Sequence, residues 1–239
     1  LNKVAIISDI QGNLTALKYV LKEIDSESVD QIICLGDVAS GAYPHEVVTL
    51  LRQRDIKTIK GNMDDAILNP RRHDTTDPDI ERYDDIDQWC SEQLTDADKA
   101  FMRNFAPLLR VQLDMQHQLV CFHGSPYSYN DVIDETTPDD ILRQYFEGYH
   151  EDVMLTGHIH HPLMRIYKEM AIVCPGSVGL PRRRDGKHPF LADYVLIDGR
   201  EQHITIQFRQ VDIPKDEFKK DILNSGMPHS NWFLSLWDV

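Results

Sequence analysis

What most restricts the folding of this chain is a device that it repeats. Apolar runs of strand length break off at a small residue, and a side chain able to hold a metal adjoins the break. The repeats are Ser8-Asp9-Ile10-Gln11, Gly36-Asp37, Gly61-Asn62, Phe122-His123-Gly124 and Val153-Met154-Leu155-Thr156-Gly157-His158-Ile159-His160. Parallel sheets produce this pattern, because their strands are buried on both faces and present ligands at their carboxyl ends. In the last stretch two histidines stand one residue apart, and on extended backbone they share a face, which suits a metal. By the same alternation His161 points away and is expected outside the metal's shell. The five strand ends are read as one site.

The segments between these breaks agree. Residues 3–8 read as a strand, and Leu14, Leu17, Val20, Leu21 and Ile24 then recur at helical spacing with Asn13 as N-cap. A strand over 30–35, a helix over 44–53 and a strand over 56–60 continue a β/α alternation. The rhythm changes over 69–113, which predicts a helical insertion near the site within a single domain of residues 1–239. Its parts are a loop over 69–79 and helices over 80–94 and 96–105, with Thr95 as N-cap or turn residue. The acidic excess across 74–98 reads as a solvated helical face. The sheet resumes over 118–123, a helix follows over 138–146, and strands dominate afterwards at 153–156, 164–167, 171–174, 194–198 and 204–210. A helix over 215–223 leads to an aromatic tail with Trp232, Phe233 and Trp237, expected to pack on the chain's own core.

Composition narrows the function. A net charge of -14 and a pI near 5.1 argue against a grip on long nucleic acid, which depends on Lys and Arg neutralising phosphates. A small anion held through metal is compatible with that balance. Cys34, Cys90, Cys121 and Cys174 form no CxxC pair, and three lie in apolar runs, as expected of reduced core thiols in a cytosolic protein. No run approaches the ~18 apolar residues of a spanning helix, and no leader-like segment precedes the first strand. The expectation is a soluble, cytoplasmic protein without a membrane partner, its oligomeric state open.

Taken in order, D-x-Q at Asp9 and Gln11, GD at Gly36-Asp37, GN at Gly61-Asn62, HG at His123-Gly124 and GHIH at Gly157 to His160 resemble the calcineurin-like metallophosphoesterase superfamily. The run from Ser8 to Leu17, Tyr43-Pro44, and Pro175-Gly176-Ser177-Val178-Gly179-Leu180-Pro181-Arg182 are similar to its bacterial and archaeal branch of small phosphodiesterases and diadenosine-polyphosphate hydrolases. The resemblance implies an α/β fold, a four-layer αββα sandwich of two mixed β-sheets. It also implies two metal ions about 3.5 Å apart. Asp9, Gln11, Asp37 and His160 would hold the first and Asp37, Asn62, His123 and His158 the second, with Asp37 bridging. Mn is the expected metal, with Fe or Zn as alternatives. A bridging hydroxide would attack phosphorus in line, with Asp37, Asn62 and His123 at the catalytic centre.

Two departures from the family pattern shape the expectation. Gln11 stands where the first motif usually has His; an amide oxygen binds a borderline cation more weakly than imidazole, which shifts the first site toward Mn or Mg. The branch resembling Mn-dependent ADP-ribose and CDP-alcohol diphosphatases also carries Gln there. Met63 stands where many phosphatases have a His that protonates the leaving oxygen, so substrates with good leaving groups are expected. Arg182, in the GSVGxPR motif, is the first candidate for substrate phosphate, followed by Arg183 and Arg184, with Asn62 contributing from the metal side. Arg71, Arg72 and His73 of the insertion are further candidates.

The function expected is metal-dependent hydrolysis of phosphodiester or phosphoanhydride bonds in a small nucleotide-type molecule. Two rivals share the fold: a non-catalytic metal-binding scaffold, disfavoured because one ligand in seven departs from the family set, and a nucleotide sensor without turnover.

Overall fold

The computed structural model describes residues 2–180, 190–200 and 203–236. In chain order its elements are β1 (Lys3–Ile7), α1 (Leu14–Ile24), β2 (Gln31–Cys34), α2 (Pro44–Gln53), β3 (Lys57–Thr58), α3 (Asn62–Leu68), α4 (Pro78–Gln93), α5 (Asp96–Arg103), β4 (Leu109–Gln112) and β5 (Gln118–Cys121). They continue with α6 (Asp139–Phe146), β6 (Val153–Leu155), β7 (Pro162–Tyr167), β8 (Met170–Pro175), β9 (Leu191–Arg200), β10 (His203–Asp212), α7 (Lys215–Asn224) and α8 (Ser230–Ser235).

The strands form two mixed sheets of five, ordered β10-β9-β1-β2-β3 and β4-β5-β6-β8-β7. In the first, β1, β2 and β3 are parallel while β9 runs antiparallel to β1 and β10. In the second, β5, β6 and β8 are parallel, flanked by antiparallel β4 and β7. Strand alternation then assigns the layers. Val4 and Ile6 of β1 join Ile33, Leu119, Leu155 and Val173 in the core between the sheets, while Ala5 and Ile7 face the opposite way, toward α1, α2, α4 and α7. On the outer face of the second sheet, Val120, Phe122 and Met154 pack against Leu142 and Phe146 of α6. The result is the four-layer αββα sandwich.

Local chemistry sets the elements. Asn13 caps α1 by accepting from the Ala16 amide, and Thr95 caps α5 in a box completed by Asp98. Helix α2 begins at Pro44, whose fixed φ suits the first helical position. Differences from the sequence expectation are local. The segment 69–113 is helical only as far as Arg103; Leu109–Gln112 is a strand pairing with β5. Helix α3 directly follows Gly61 and was not foreseen. The acidic face over 74–98 is only partly solvated, since Asp84 and Asp98 are buried. All four cysteines are buried and free. Phe233 and Leu234 of the tail are buried in the core beneath α7, as expected, and Trp237 lies outside the described residues.

No helix among the described residues is long and apolar enough to cross a membrane.

Candidate metal centre

The carboxyl ends of the parallel strands in both sheets meet at one edge of the sandwich. Asp9 follows β1, Asp37 follows β2, Asn62 opens α3 after β3, His123 follows β5, and His158 and His160 follow β6. Their ligand atoms converge in two groups: those of Asp37, His123 and His158 lie within 4.8 Å of one another, as do those of Asp9, Asp37 and His160. Asp37 is common to both.

The backbone here is under strain. Nine described non-glycine residues have left-handed φ, and five of them are Asp9 (54°), Gln11 (51°), Asp37 (55°), His158 (68°) and His160 (59°). Each such conformation costs about 1–3 kcal/mol and persists only where surrounding structure enforces it. The two histidines therefore do not share a face of extended strand, as the sequence pattern suggested. Strand β6 ends at Leu155, and the left-handed turns bring both rings inward. His161 stays outside both groups, with its Nδ1 3.1 Å from the Ile159 carbonyl.

Glycines permit the approach. A Cβ on Gly61 would stand 2.1 Å from Asp37 Oδ1, and one on Gly157 would stand 2.3 Å from Ser8 Oγ and 3.1 Å from His123 Nδ1. No side chain fits at either place.

Hydrogen bonds orient the donors. His123 Nδ1 is 2.6 Å from the Leu35 carbonyl and His160 Nδ1 is 2.9 Å from the Leu180 carbonyl. A carbonyl only accepts, so Nδ1 carries the proton in both rings and Nε2 turns its lone pair into the site. His123 Nε2 faces Asn62 Oδ1 at 3.0 Å and Asp37 Oδ2 at 3.3 Å. His160 Nε2 faces Asp9 Oδ1 at 3.1 Å, yet that buried oxygen accepts no hydrogen bond. Acceptors facing acceptors in a buried space repel unless a proton or a cation stands between them.

The titration shifts express that demand. Burial alone would depress His123, but the charge and hydrogen bonding of Asp37, with help from Asp9, carry it up to about 10. His160 is opposed by burial and raised by Asp9. Asp9 is opposed by burial and lowered chiefly by His160. His158 is lowered by burial and by the charge of His123. The raised His123 and His160 favour a proton facing these oxygens, a need that a cation would also meet, whereas the lowered His158 favours the neutral ring.

Gln11 is buried and its Nε2 lies 3.3 Å from Asp37 Oδ2, so as placed it donates to the shared carboxylate. Met63 is half-buried and contributes its backbone N–H, which donates to Asp37 Oδ1 at 2.8 Å. Arg182, Arg183 and Arg184 lie outside the described residues. Arg71 and His73 line the cleft over the site, whereas Arg72 is paired with Asp85 at 2.5 Å.

Sequence reasoning passed over Asp64. Its buried carboxylate accepts from the amides of Asp37 (2.9 Å), Val38 (2.9 Å) and Gly61 (2.8 Å), tying the loop after β2 to the loop after β3. Burial and the neighbouring Asp37 charge raise it to about 7. The signal was present, since Asp64 stands three residues after Gly61, where a capping acid belongs. Ser8, donating to Asp9 Oδ2 at 2.5 Å, was likewise unmarked.

Above these residues opens a cleft of about 680 Å3, lined among others by Asn62, Met63, Arg71, Tyr83, Asp87 and Phe233.

The sequence and the fold are similar to those of known proteins. The calcineurin-like phosphoesterase superfamily domain matches residues 3–198. An uncharacterised Methanocaldococcus jannaschii protein, MJ0912, is 28% identical over 229 residues, 89% of each chain. A metallophosphoesterase from Sphaerobacter thermophilus superposes with a TM-score of 0.74 at 26% identity, covering 96% of both chains. The hypothetical protein PH1004 from Pyrococcus horikoshii shares the fold with a TM-score of 0.79 at 20% identity, over 96% of this chain and 95% of its own.

Proposed function

This chain belongs to the calcineurin-like phosphoesterase superfamily, and from that premise we propose that it is a dinuclear metal-dependent phosphohydrolase cleaving phosphodiester or phosphoanhydride bonds in small nucleotide-type molecules. The observation that carries the reading is the pair of backbone-anchored imidazoles, His123 and His160, turning Nε2 toward the buried carboxylate oxygens of Asp37 and Asp9 and the half-buried amide oxygen of Asn62. That donor set, imidazole nitrogen with carboxylate and amide oxygen, suits Mn, Fe or Zn.

In this reading Asp9, Gln11, Asp37 and His160 hold one cation, and Asp37, Asn62, His123 and His158 the other. When bound, such a pair supplies Lewis acidity and a water acidic enough to attack phosphorus near neutral pH. The chain's own residues do the positioning. Asp37 draws both halves together, Leu35 and Leu180 fix the ring tautomers, and Asp64 holds Asp37 and Gly61 in register. Gln11, as a weak ligand, biases the first position toward Mn or Mg.

Several features support a nucleotide-sized substrate. The cleft is large enough, Ile80 and Tyr83 stand in its wall at 39% and 43% exposure as apolar surface for a base, and Arg71 adds positive charge. Arg182 and Arg183 are the proposed further phosphate contacts. The acidic chain favours a small ligand over long nucleic acid, and a cytoplasmic setting fits four free thiols.

The test is a panel of assays on Mn-loaded protein with bis(p-nitrophenyl) phosphate, diadenosine polyphosphates, ADP-ribose, ATP and cyclic nucleotides, alongside metal analysis. Turnover that depends on Mn and is lost in His123→Ala is expected. Tight metal binding without turnover of any member would overturn the reading and favour a scaffold or sensor.

A further inference from the structure

One wall of the cleft belongs to the segment between β3 and β4. Helix α4 presents Ile80, Tyr83, Asp84 and Asp87 there, at the spacing of a single helical face. The two acids on this face differ in their partners. Both oxygens of Asp84 are engaged by His73, one through its backbone N–H at 2.7 Å and the other through Nδ1 at 2.7 Å. Asp87 Oδ1 is buried and accepts no hydrogen bond, while Ser40, three residues beyond Asp37, lies near the same carboxyl group and favours its ionised form. An orphaned, buried carboxylate oxygen is costly as an anion and comfortable as the acid. Asp87 thus lines the same cleft as Asp37, Asn62 and His158.

At the position of Met63 the cleft offers no proton from the side chain. Met63 lines the cleft where a leaving oxygen would need protonating, and a thioether has no proton to give. We propose that Asp87 is the general acid of the reaction, protonating the oxygen that leaves phosphorus. The assignment rests on the phosphohydrolase reading above. As the attacking water oxygen forms its bond to phosphorus and gives up a proton to solvent, the bond to the leaving oxygen breaks and its electron pair stays on that oxygen. The leaving oxygen takes the carboxylic proton of Asp87, and the carboxylate left behind recovers a proton from solvent.

The electrostatics favour this division of labour. Burial, then the like charges of Asp84 on the same helix and Asp37 beyond β2, raise Asp87 to about 7, with the Ser40 hydroxyl and His73 acting in the opposite sense. Bound cations would cancel most of the Asp37 contribution; burial and Asp84 remain. Those two causes keep the carboxyl raised above the usual carboxylate range, the direction a general acid needs. The preference for good leaving groups expected from Met63 is correspondingly relaxed.

The experiment uses the full chain loaded with Mn and two aryl esters of thymidine 5′-phosphate, p-nitrophenyl and phenyl, whose leaving groups differ in their need for a proton. With Asp87→Asn, kcat/KM is expected to fall about 100-fold further on the phenyl than on the p-nitrophenyl ester. The alkaline limb of the wild-type pH profile should vanish, and Asp87→Glu should restore part of both. Equal losses on the two esters, with or without loss of Mn, or an alkaline limb that survives in Asp87→Asn, overturn the assignment while leaving the phosphohydrolase reading intact. A wild-type protein that hydrolyses neither ester with Mn overturns the assignment, and one that hydrolyses no member of the panel above either overturns the phosphohydrolase reading as well.

Discussion

His123 has one nitrogen committed to the Leu35 carbonyl and the other turned toward Asp37 and Asn62, so proton and cation compete for the same lone pair. Without metal, Asp37 lifts the ring from 6.5 to about 10 against its burial. A raised folded-state value means that the charged ring stabilises the fold fully below about 6.5 and that this contribution is lost as pH rises through about 10. Denaturant titrations of the metal-free protein should therefore show stability declining across that window more steeply in the wild type than in His123→Ala. Metal binding must displace the proton, so calorimetry at pH 7.5 in buffers of different ionisation enthalpy should register proton release, reduced in His123→Ala. Two further substitutions address the departures from the family pattern. Gln11→His is expected to tighten the first position and move its preference from Mn toward Zn; unchanged stoichiometry and preference on elemental analysis would refute the role given to Gln11. Met63→His places an imidazole beside Asn62 and, in an Asp87→Asn background that lacks the proposed acid, should raise turnover of alkyl monoesters more than of anhydrides, whereas equal changes on both would show that proton donation is not what this position controls.

At the scale of elements, α3 is the piece that sequence periodicity did not disclose, because seven residues from Asn62 to Leu68 are too short to establish a helical period. Its role is nonetheless specific. Asp64 at its third position accepts three amides that belong to two different loops, so one carboxylate sets the distance between Asp37 and Asn62. Asp64→Ala should cost at least about 3 kcal/mol by leaving three buried donors unpaired, and should weaken metal binding as well, readable by denaturant unfolding and metal titration. Helix α4 was legible as a helix, but its inner face was not. Ile80, Tyr83, Asp84 and Asp87 share a side, yet whether that side meets water or a cleft depends on where the neighbouring helices α2 and α3 lie. Both pack against α4.

For the whole molecule, the site is a seam between two sheets, with Asp9, Asp37 and Asn62 from one and His123, His158 and His160 from the other. Cations bound there bridge both halves of the sandwich and should stabilise the native state alone. At 100-fold excess over the dissociation constant the gain is about 2.7 kcal/mol, or roughly 5–10 °C in Tm for a chain of this size. A chelator should reverse it, and Asp37→Asn, which removes charge common to both groups, should abolish most of it. Much of this seam was readable in the linear chain. Apolar runs buried on both faces announce parallel strands, and the small residues that end them announce turns too tight for a Cβ, as at Gly61 and Gly157. The ordered ligand types then point to a metal, and their resemblance to a known family implied phosphate chemistry. What the chain alone could not supply was direction in space. His158 and His160 were expected to converge through strand alternation and instead converge through left-handed turns. The lone pairs of His123 and His160 are aimed by carbonyls 88 and 20 residues away, and Asp64 and Asp87 acquire their meaning only when the loop after β2 folds over them. Periodicity and residue type are local properties, so sequence announced most of the strands, the turns and the candidate ligands. Orientation, burial and the company a carboxylate keeps arise from contacts distant in sequence, and only the tertiary structure could decide them.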